Sequence, residues 1–262
     1  MTQIYIAVAI LGAIGLLGGI LLSVVSAICG TQKENERLAK LKEALPGANC
    51  GACGFAGCDS YAEALDANAA EPGLCAPGGA AAAKVISEIM GVKIDIVKKV
   101  ARVNCNGCHE NTDTKYNYDG LDSCAAAAAL GGGPMQCEYG CIGLGDCVGS
   151  CKFNALDVLN GVAMVNNEIC TGCGKCANAC PKELITLVPY KSVSFIPCSN
   201  KNKGAVARKQ CKAACIGCMA CVRSCEYDAV TVKNFLAEVD TEKCTSCGKC
   251  VEACPQKIIR IV

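Results

Sequence analysis

Cysteine dominates the chemistry open to this chain: there are 26 thiols in 262 residues, many of them in the run C-x2-C-x2-C-x3-C. "CTGCGKCANACP" runs from Cys170 to Pro181, and "CTSCGKCVEACP" from Cys244 to Pro255. Thiols that close along a chain are poorly placed to bridge one another, because a disulfide demands its own Cα spacing and dihedral angle. They wrap a compact inorganic centre well, and iron–sulfur clusters are held by sets of four thiolates. A disulfide scaffold of this cysteine density belongs to small secreted domains, and this chain is long. The single histidine, His109, excludes His-rich metal sites, and a net charge of +1 gives no sign of nucleic-acid binding.

One four-thiolate set reads Cys50-x2-Cys53-x4-Cys58-x16-Cys75. Its glycines allow a tight loop and leave backbone N–H groups free for the sulfurs, as a [4Fe–4S] cluster requires. Four thiolates also suit tetrahedral zinc, but zinc sites usually show two separated C-x2-C pairs. Further along, Cys170, Cys173, Cys176 and Cys180 recur 74 positions later as Cys244, Cys247, Cys250 and Cys254. The same shift relates Cys151 to Cys225, Cys147 to Cys221, Cys141 to Cys215, Cys137 to Cys211 and Cys124 to Cys198. Coincidence does not explain nine aligned cysteines, so the module is duplicated. Within each copy, "ALDVLNGVAMVN" and "AVTVKNFLAEVD" predict β-hairpins.

Each copy resembles the bacterial two-cluster ferredoxin, in which the fourth Cys of each run ligates the other cluster. The resemblance implies that Cys225 completes Cys244, Cys247 and Cys250, and that Cys254 completes Cys215, Cys218 and Cys221. In the first copy Cys151 would complete Cys170, Cys173 and Cys176. Lys152 and Glu226 stand where the family has proline. Leu144 stands where the second copy has Cys218, so Cys141, Cys147 and Cys180 lack a fourth thiolate; Cys137 is the nearest candidate, and a three-Cys cluster is the alternative. Cys105 and Cys108 read as half of a sixth site, completed by Cys124 with Cys137, Cys198 or Cys211, or else as a redox or free thiol pair. His109 reads as an exposed polar residue. The expected cofactors are five or six [4Fe–4S] clusters.

The elements that must position these thiols are also legible. No charged side chain precedes Lys33, and Ile4 to Gly30 is apolar throughout. About 20 such residues suffice for a membrane-spanning helix, and the basic start of a signal peptide is missing. Lys33, Arg37, Lys40 and Lys42 then place the rest in the cytoplasm. Gly15, Gly19, Ser23 and Ala27 form a small-residue stripe suited to a partner helix, and Cys29 is an incidental thiol at the membrane edge. Residues 31–45 predict a helix stopped by Pro46-Gly47, residues 80–90 a second, and the alanine run 125–129 a third. The expected fold is α+β: a transmembrane anchor (1–30), a small helical 4Fe–4S module (31–100), a cysteine-containing connector (101–135) and two tandem ferredoxin-like modules (136–190 and 191–262). No dinucleotide fingerprint, P-loop or catalytic triad stands out.

Taken together, the anchor, the x4/x16 module and the tandem ferredoxin modules look like the B subunit of the Rnf complex, in its longer, anaerobe-type form. That resemblance covers nearly the whole chain. It implies an ion-translocating ferredoxin:NAD⁺ oxidoreductase in which this subunit accepts electrons from reduced ferredoxin and passes them to membrane subunits. NAD⁺ and flavins would belong to partner subunits. The implied partners are the other membrane and peripheral subunits, soluble ferredoxin and membrane lipid, at the inner membrane with the clusters on the cytoplasmic side. An iron–sulfur subunit of another membrane hydrogenase or dehydrogenase is the alternative, against which the x4/x16 module argues; a redox-inactive zinc scaffold is a third reading. From Leu184 to Cys225 there is no Asp or Glu, but there are Lys191, Lys201, Lys203, Arg208, Lys209, Lys212 and Arg223. This stretch, with 199–210 read as a surface loop, is a candidate dock for an acidic ferredoxin.

Overall fold

Short helices, two-stranded sheets and left-handed turns are what a chain of glycine-spaced cysteines can form, and they recur throughout. The computed structural model describes residues 15–24, 36–191 and 193–261. Helix α1 (residues 15–24) covers part of the expected membrane anchor; residues 4–14 and 25–30 of that anchor, with Ala27 and Cys29, lie outside the described residues. Among the described residues no helix is long and apolar enough to cross a membrane, which corrects the expected transmembrane helix. The expectation counts apolar side chains over residues 4–30, and of that run only residues 15–24 are described; Gly15, Gly18 and Gly19 lie within α1. Among the described residues nothing beyond the helix's own backbone and the adjoining residues packs within 4 Å of a Cβ added at Gly15 or Gly19.

Helices α2 (Glu36–Ala44), α3 (Cys58–Asp66) and α4 (Gly79–Met90) form the first module. Leu41, Leu45, Tyr61, Leu65 and Ile86 recur at helical spacing and meet in its core. Helix α4 stops at Gly91, whose φ of 68° suits a left-handed cap. The buried Tyr61 hydroxyl donates to the Glu71 carbonyl (2.9 Å) and accepts from the Leu74 N–H (3.1 Å), which fixes the loop that delivers Cys75.

The first ferredoxin-like unit contains β1 (Lys99–Val103), α5 (Cys124–Ala129), α6 (Asp146–Gly149), β2 (Leu156–Leu159), β3 (Val162–Val165), α7 (Lys175–Ala179) and β4 (Ile185–Pro189). The second contains β5 (Ser194–Phe195), α8 (Gly204–Gln210), α9 (Ala220–Arg223), β6 (Val230–Lys233), β7 (Leu236–Val239), α10 (Lys249–Ala253) and β8 (Arg260–Ile261). Both expected hairpins form, as the antiparallel pairs β2–β3 and β6–β7. Their turns use left-handed residues, Asn160-Gly161 and Asn234-Phe235. The outer pairs are β1–β4 and β5–β8.

These outer strands show that the repeat is not uniform. Ala101 faces Leu187, and Ser194 faces Ile261. Leu187 and Ile261 keep the 74-residue shift, whereas Ala101 and Ser194 are 93 apart. Nineteen extra residues therefore sit between β1 and Cys137. By this alignment Cys198 is the counterpart of Cys105, not of Cys124. Strand β1 also straddles the expected boundary at residue 100 and belongs to the first unit.

Two glycines show how tightly each unit closes. Gly143 (φ +83°) and Gly217 (φ +64°) lie against the hairpin turns, and an added Cβ would come within 2.6 Å of the Gly161 carbonyl oxygen and 2.8 Å of the Phe235 carbonyl oxygen. Gly143→Ala and Gly217→Ala should each destabilise their unit by on the order of 1–3 kcal/mol or more, from left-handed strain plus overlap. Denaturant unfolding of the iron-loaded chain reads this. Gly131→Ala, which has positive φ but open space, should cost less.

Candidate metal centres

Cys50, Cys53, Cys58 and Cys75 ring one cavity between the loops of the first module. Cys151, Cys170, Cys173 and Cys176 ring a second, beside α7. Cys215, Cys218, Cys221 and Cys254 ring a third, lined by Ile196, Val232, Ala237, Ile258 and Ile259. Cys225, Cys244, Cys247 and Cys250 occupy the matching positions of the second unit; Lys249 of α10 is ion-paired to Glu226, drawing α10 toward Cys225. Ser194 N–H lies 3.5 Å from the Cys244 sulfur, just as Ala101 N–H lies 3.4 Å from that of Cys170.

The site around Leu144 differs from expectation. Cys124, Cys141, Cys147 and Cys180 line one cavity, and Cys137 is not among them. The extra nineteen residues carry α5, whose first residue is Cys124. The Asp146 carboxylate accepts hydrogen bonds from the N–H groups of Cys124 (2.9 Å) and Ala125 (3.0 Å) and from the Ser123 hydroxyl (3.1 Å). Burial opposes the charge, yet these donors hold the Asp146 carboxyl below its ordinary range. The second copy has Ala220 in place of Asp146 and Cys218 in place of Leu144. The compensation is thus local: a missing thiol, an inserted thiol and the carboxylate that pins it.

Cys137 belongs elsewhere. Among the thiols nearest Cys211 are Cys137, Cys198 and Cys108, and Cys137 also neighbours Cys105 and Cys198. Cys105 accepts N–H from Gly107 and Cys141 (both 3.3 Å), and Cys198 accepts from Cys215 (3.3 Å). Five thiols from both units therefore gather at the junction between them. Cys124, expected to complete this set, lines the cavity of Cys141, Cys147 and Cys180. His109 is exposed and covers Gly161.

The residues suit clusters. Burial pushes the Cys105 thiol up to about 12, and Cys176, Cys211 and Cys221 up to about 11. Cys147 rises to about 12 through burial and the thiols of Cys141, Cys124 and Cys180. Such sulfurs become thiolates only beside strong positive charge, which bound iron supplies. Among the described residues no three Cys, His, Asp or Glu side chains converge closely enough to hold a single metal ion. Rings of sulfur around a cavity fit a four-iron centre better than tetrahedral zinc with its ~2.3 Å bonds.

Comparison with known proteins agrees. Residues 45–77 match the family described as "Putative Fe-S cluster", residues 163–186 the "4Fe-4S binding domain" and residues 214–258 the "4Fe-4S dicluster domain". A curated relative from Acetobacterium woodii, the B subunit of the Na⁺-translocating ferredoxin:NAD⁺ oxidoreductase complex, is 41% identical over 99% of this chain and 78% of its own length. The chain belongs to the family of Rnf B subunits. The B subunit of the ion-translocating oxidoreductase complex of Methanosarcina acetivorans is 38% identical over 97% of both chains. That of the proton-translocating ferredoxin:NAD⁺ oxidoreductase complex of Clostridium ljungdahlii is 38% identical over all of this chain and 94% of its own. As an Rnf family member, this chain binds several [4Fe–4S] clusters.

Sequence reasoning missed two side chains at the junction, because asparagine carries no motif. Asn111 Nδ2 donates to the Cys108 sulfur at 3.1 Å, and Asn200 Nδ2 to the Cys137 sulfur at 3.4 Å.

Proposed function

We propose that this chain is the electron-transfer subunit of an ion-translocating ferredoxin:NAD⁺ oxidoreductase complex. It takes single electrons from reduced ferredoxin and hands them to other subunits of that membrane-associated complex. The observation that carries this reading is the succession of thiol sets through all three modules, with cysteines of both ferredoxin-like units meeting at their junction. The proposed ligand sets are Cys50/Cys53/Cys58/Cys75, Cys124/Cys141/Cys147/Cys180, Cys151/Cys170/Cys173/Cys176, Cys215/Cys218/Cys221/Cys254 and Cys225/Cys244/Cys247/Cys250. A sixth set takes Cys137 and Cys211 with two of Cys105, Cys108 and Cys198. Bound there, the clusters supply one-electron redox chemistry; the protein positions them and tunes their potentials.

The proposed ferredoxin dock is the basic stretch of the second unit. Lys201, Lys203, Arg208 and Lys209 are all exposed, on the turn before α8 and on α8 itself, rather than on the irregular loop expected for 199–210. Ala207 is buried beneath them, which holds the charges on one surface. Reversing the four to Glu should slow ferredoxin-driven reduction roughly tenfold or more at low ionic strength and flatten its salt dependence, because steering is what salt screens. Stopped-flow reduction across a salt series reads both. Unchanged rate and slope would move the dock elsewhere.

A further inference from the structure

The junction site differs from the four ferredoxin-type sites in the donors around its sulfurs. Backbone N–H groups reach sulfurs at the other sites too, for example from Ala101, Ala155 and Leu184. The two side-chain amides have no counterparts there among the described residues, where the one side-chain hydroxyl at a sulfur is that of Ser194, 3.3 Å from Cys250. Asn200 is 1% exposed, and its amide is fully oriented. Its Oδ1 accepts the Asn202 N–H (2.8 Å), and its Nδ2 donates to Gln210 Oε1 (2.8 Å) and to the Cys137 sulfur. The amide therefore cannot flip without losing all three partners.

Charges of both signs line the same side. A cleft of ≈ 490 Å³ between the units is lined by Cys198, by Arg102, Lys182 and Lys201, and by Glu138, Glu183 and Glu238. Arg102 is 7% exposed, its Nε has no hydrogen-bond partner, and its guanidinium lies 4.9 Å from the centre of the Phe195 ring. Lys182 donates to the Glu138 carbonyl and neighbours Cys137. The Glu138 carboxylate opposes this, but it is turned to Asn202 Nδ2 at 3.0 Å. Burial would lower a cluster potential, yet it does not single out this site. Two of its cysteines are buried, as are two in each of the Cys124, Cys151 and Cys215 sets. Hydrogen bonds to sulfur favour the reduced, more negative form, and at this site the Asn200 amide supplies one.

We infer that Asn200, through the hydrogen bond it gives Cys137, raises the reduction potential of the junction site above those of the four ferredoxin-type sites. This rests on the proposed sixth cluster. An electron arriving in either unit then comes to rest between them. One electron leaves the donor site and one arrives at the junction, with no proton or bond transferred.

The test is an anaerobic redox titration of the full iron-loaded chain, followed by electron paramagnetic resonance, with iron counted in each sample. In the Cys137→Ala/Cys211→Ala chain, iron should fall by about four atoms and the most positive titration step should vanish, once the step lost in a Cys50→Ala/Cys53→Ala chain is set aside as that of the first module. If no iron is lost, the sixth cluster itself is refuted. If iron is lost but a more negative step vanishes, Asn200 does not do what is inferred. In Asn200→Leu, the most positive step should move to more negative potential at unchanged iron content, with the other steps in place. Asn200→Ser, which is too short to reach Cys137, should show the same shift and serves if the leucine chain loses iron. A most positive step that stays at its wild-type potential in an iron-replete variant overturns the inference.

Discussion

Replacing Cys124 with alanine should cost the chain between one iron atom and the full four of one site, roughly, because three thiolates then face a four-iron centre. The Cys141/Cys147/Cys180 signal should vanish or take a three-iron form. Leu144 supplies the decisive second arm: Cys124→Ala/Leu144→Cys rebuilds the arrangement around Cys218 and should recover the lost iron. Asp146→Ala should act in the same direction more weakly, since it removes three hydrogen bonds that hold Cys124 and its helix. Iron and sulfide analysis with low-temperature paramagnetic resonance checks all three. Full iron in Cys124→Ala, or no recovery with Leu144→Cys, would show that another ligand completes the site.

Stripping the iron should unfold both ferredoxin-like units while leaving helix in the first module. The buried core around the second unit contains Cys137, Cys211, Cys215, Cys221 and Cys250 as well as Ile196, Val230, Leu236, Ile258 and Ile259, so thiols make up a large share of it. That of the first contains Cys147, Cys170 and Cys176. Without metal these thiols are small, weakly apolar groups, and a core in which they make up so large a share loses much of what holds it together. The first module instead packs Leu41, Leu45, Tyr61, Leu65 and Ile86, with Cys75 as its one buried thiol. Anaerobic chelation followed by circular dichroism and limited proteolysis should show the hairpins lost, the region 99–261 cut freely, and a protected fragment around 36–90. Equal protection of all three modules after iron removal would contradict this.

The cluster loops are legible in the sequence because their ligands are consecutive: spacing alone sets Cys170, Cys173 and Cys176 on one turn. The hairpins follow from alternation and from Asn160-Gly161. Legibility fails where chemistry depends on segments far apart in sequence. Cys124 reaches the Leu144 site only because Asp146 pins α5, and an insertion shifts the repeat silently between Cys105 and Cys137. A constant-shift alignment therefore pairs Cys124 with Cys198, although strand register pairs Cys105 with it. Asn111 and Asn200 give no signal, since a buried amide aimed at sulfur looks like any polar residue. At the N-terminus hydropathy reads as a spanning helix, whereas among the described residues no helix is long and apolar enough to be one.

The most direct test of the central claim is to mix the anaerobically purified, iron-counted chain with excess reduced ferredoxin and follow its visible absorbance. The account predicts a brown protein with roughly 24 iron atoms per chain, four for each of six sites, that bleaches as it takes up several electrons. A colourless, zinc-bearing chain, or one whose colour reduced ferredoxin leaves unchanged, would contradict it.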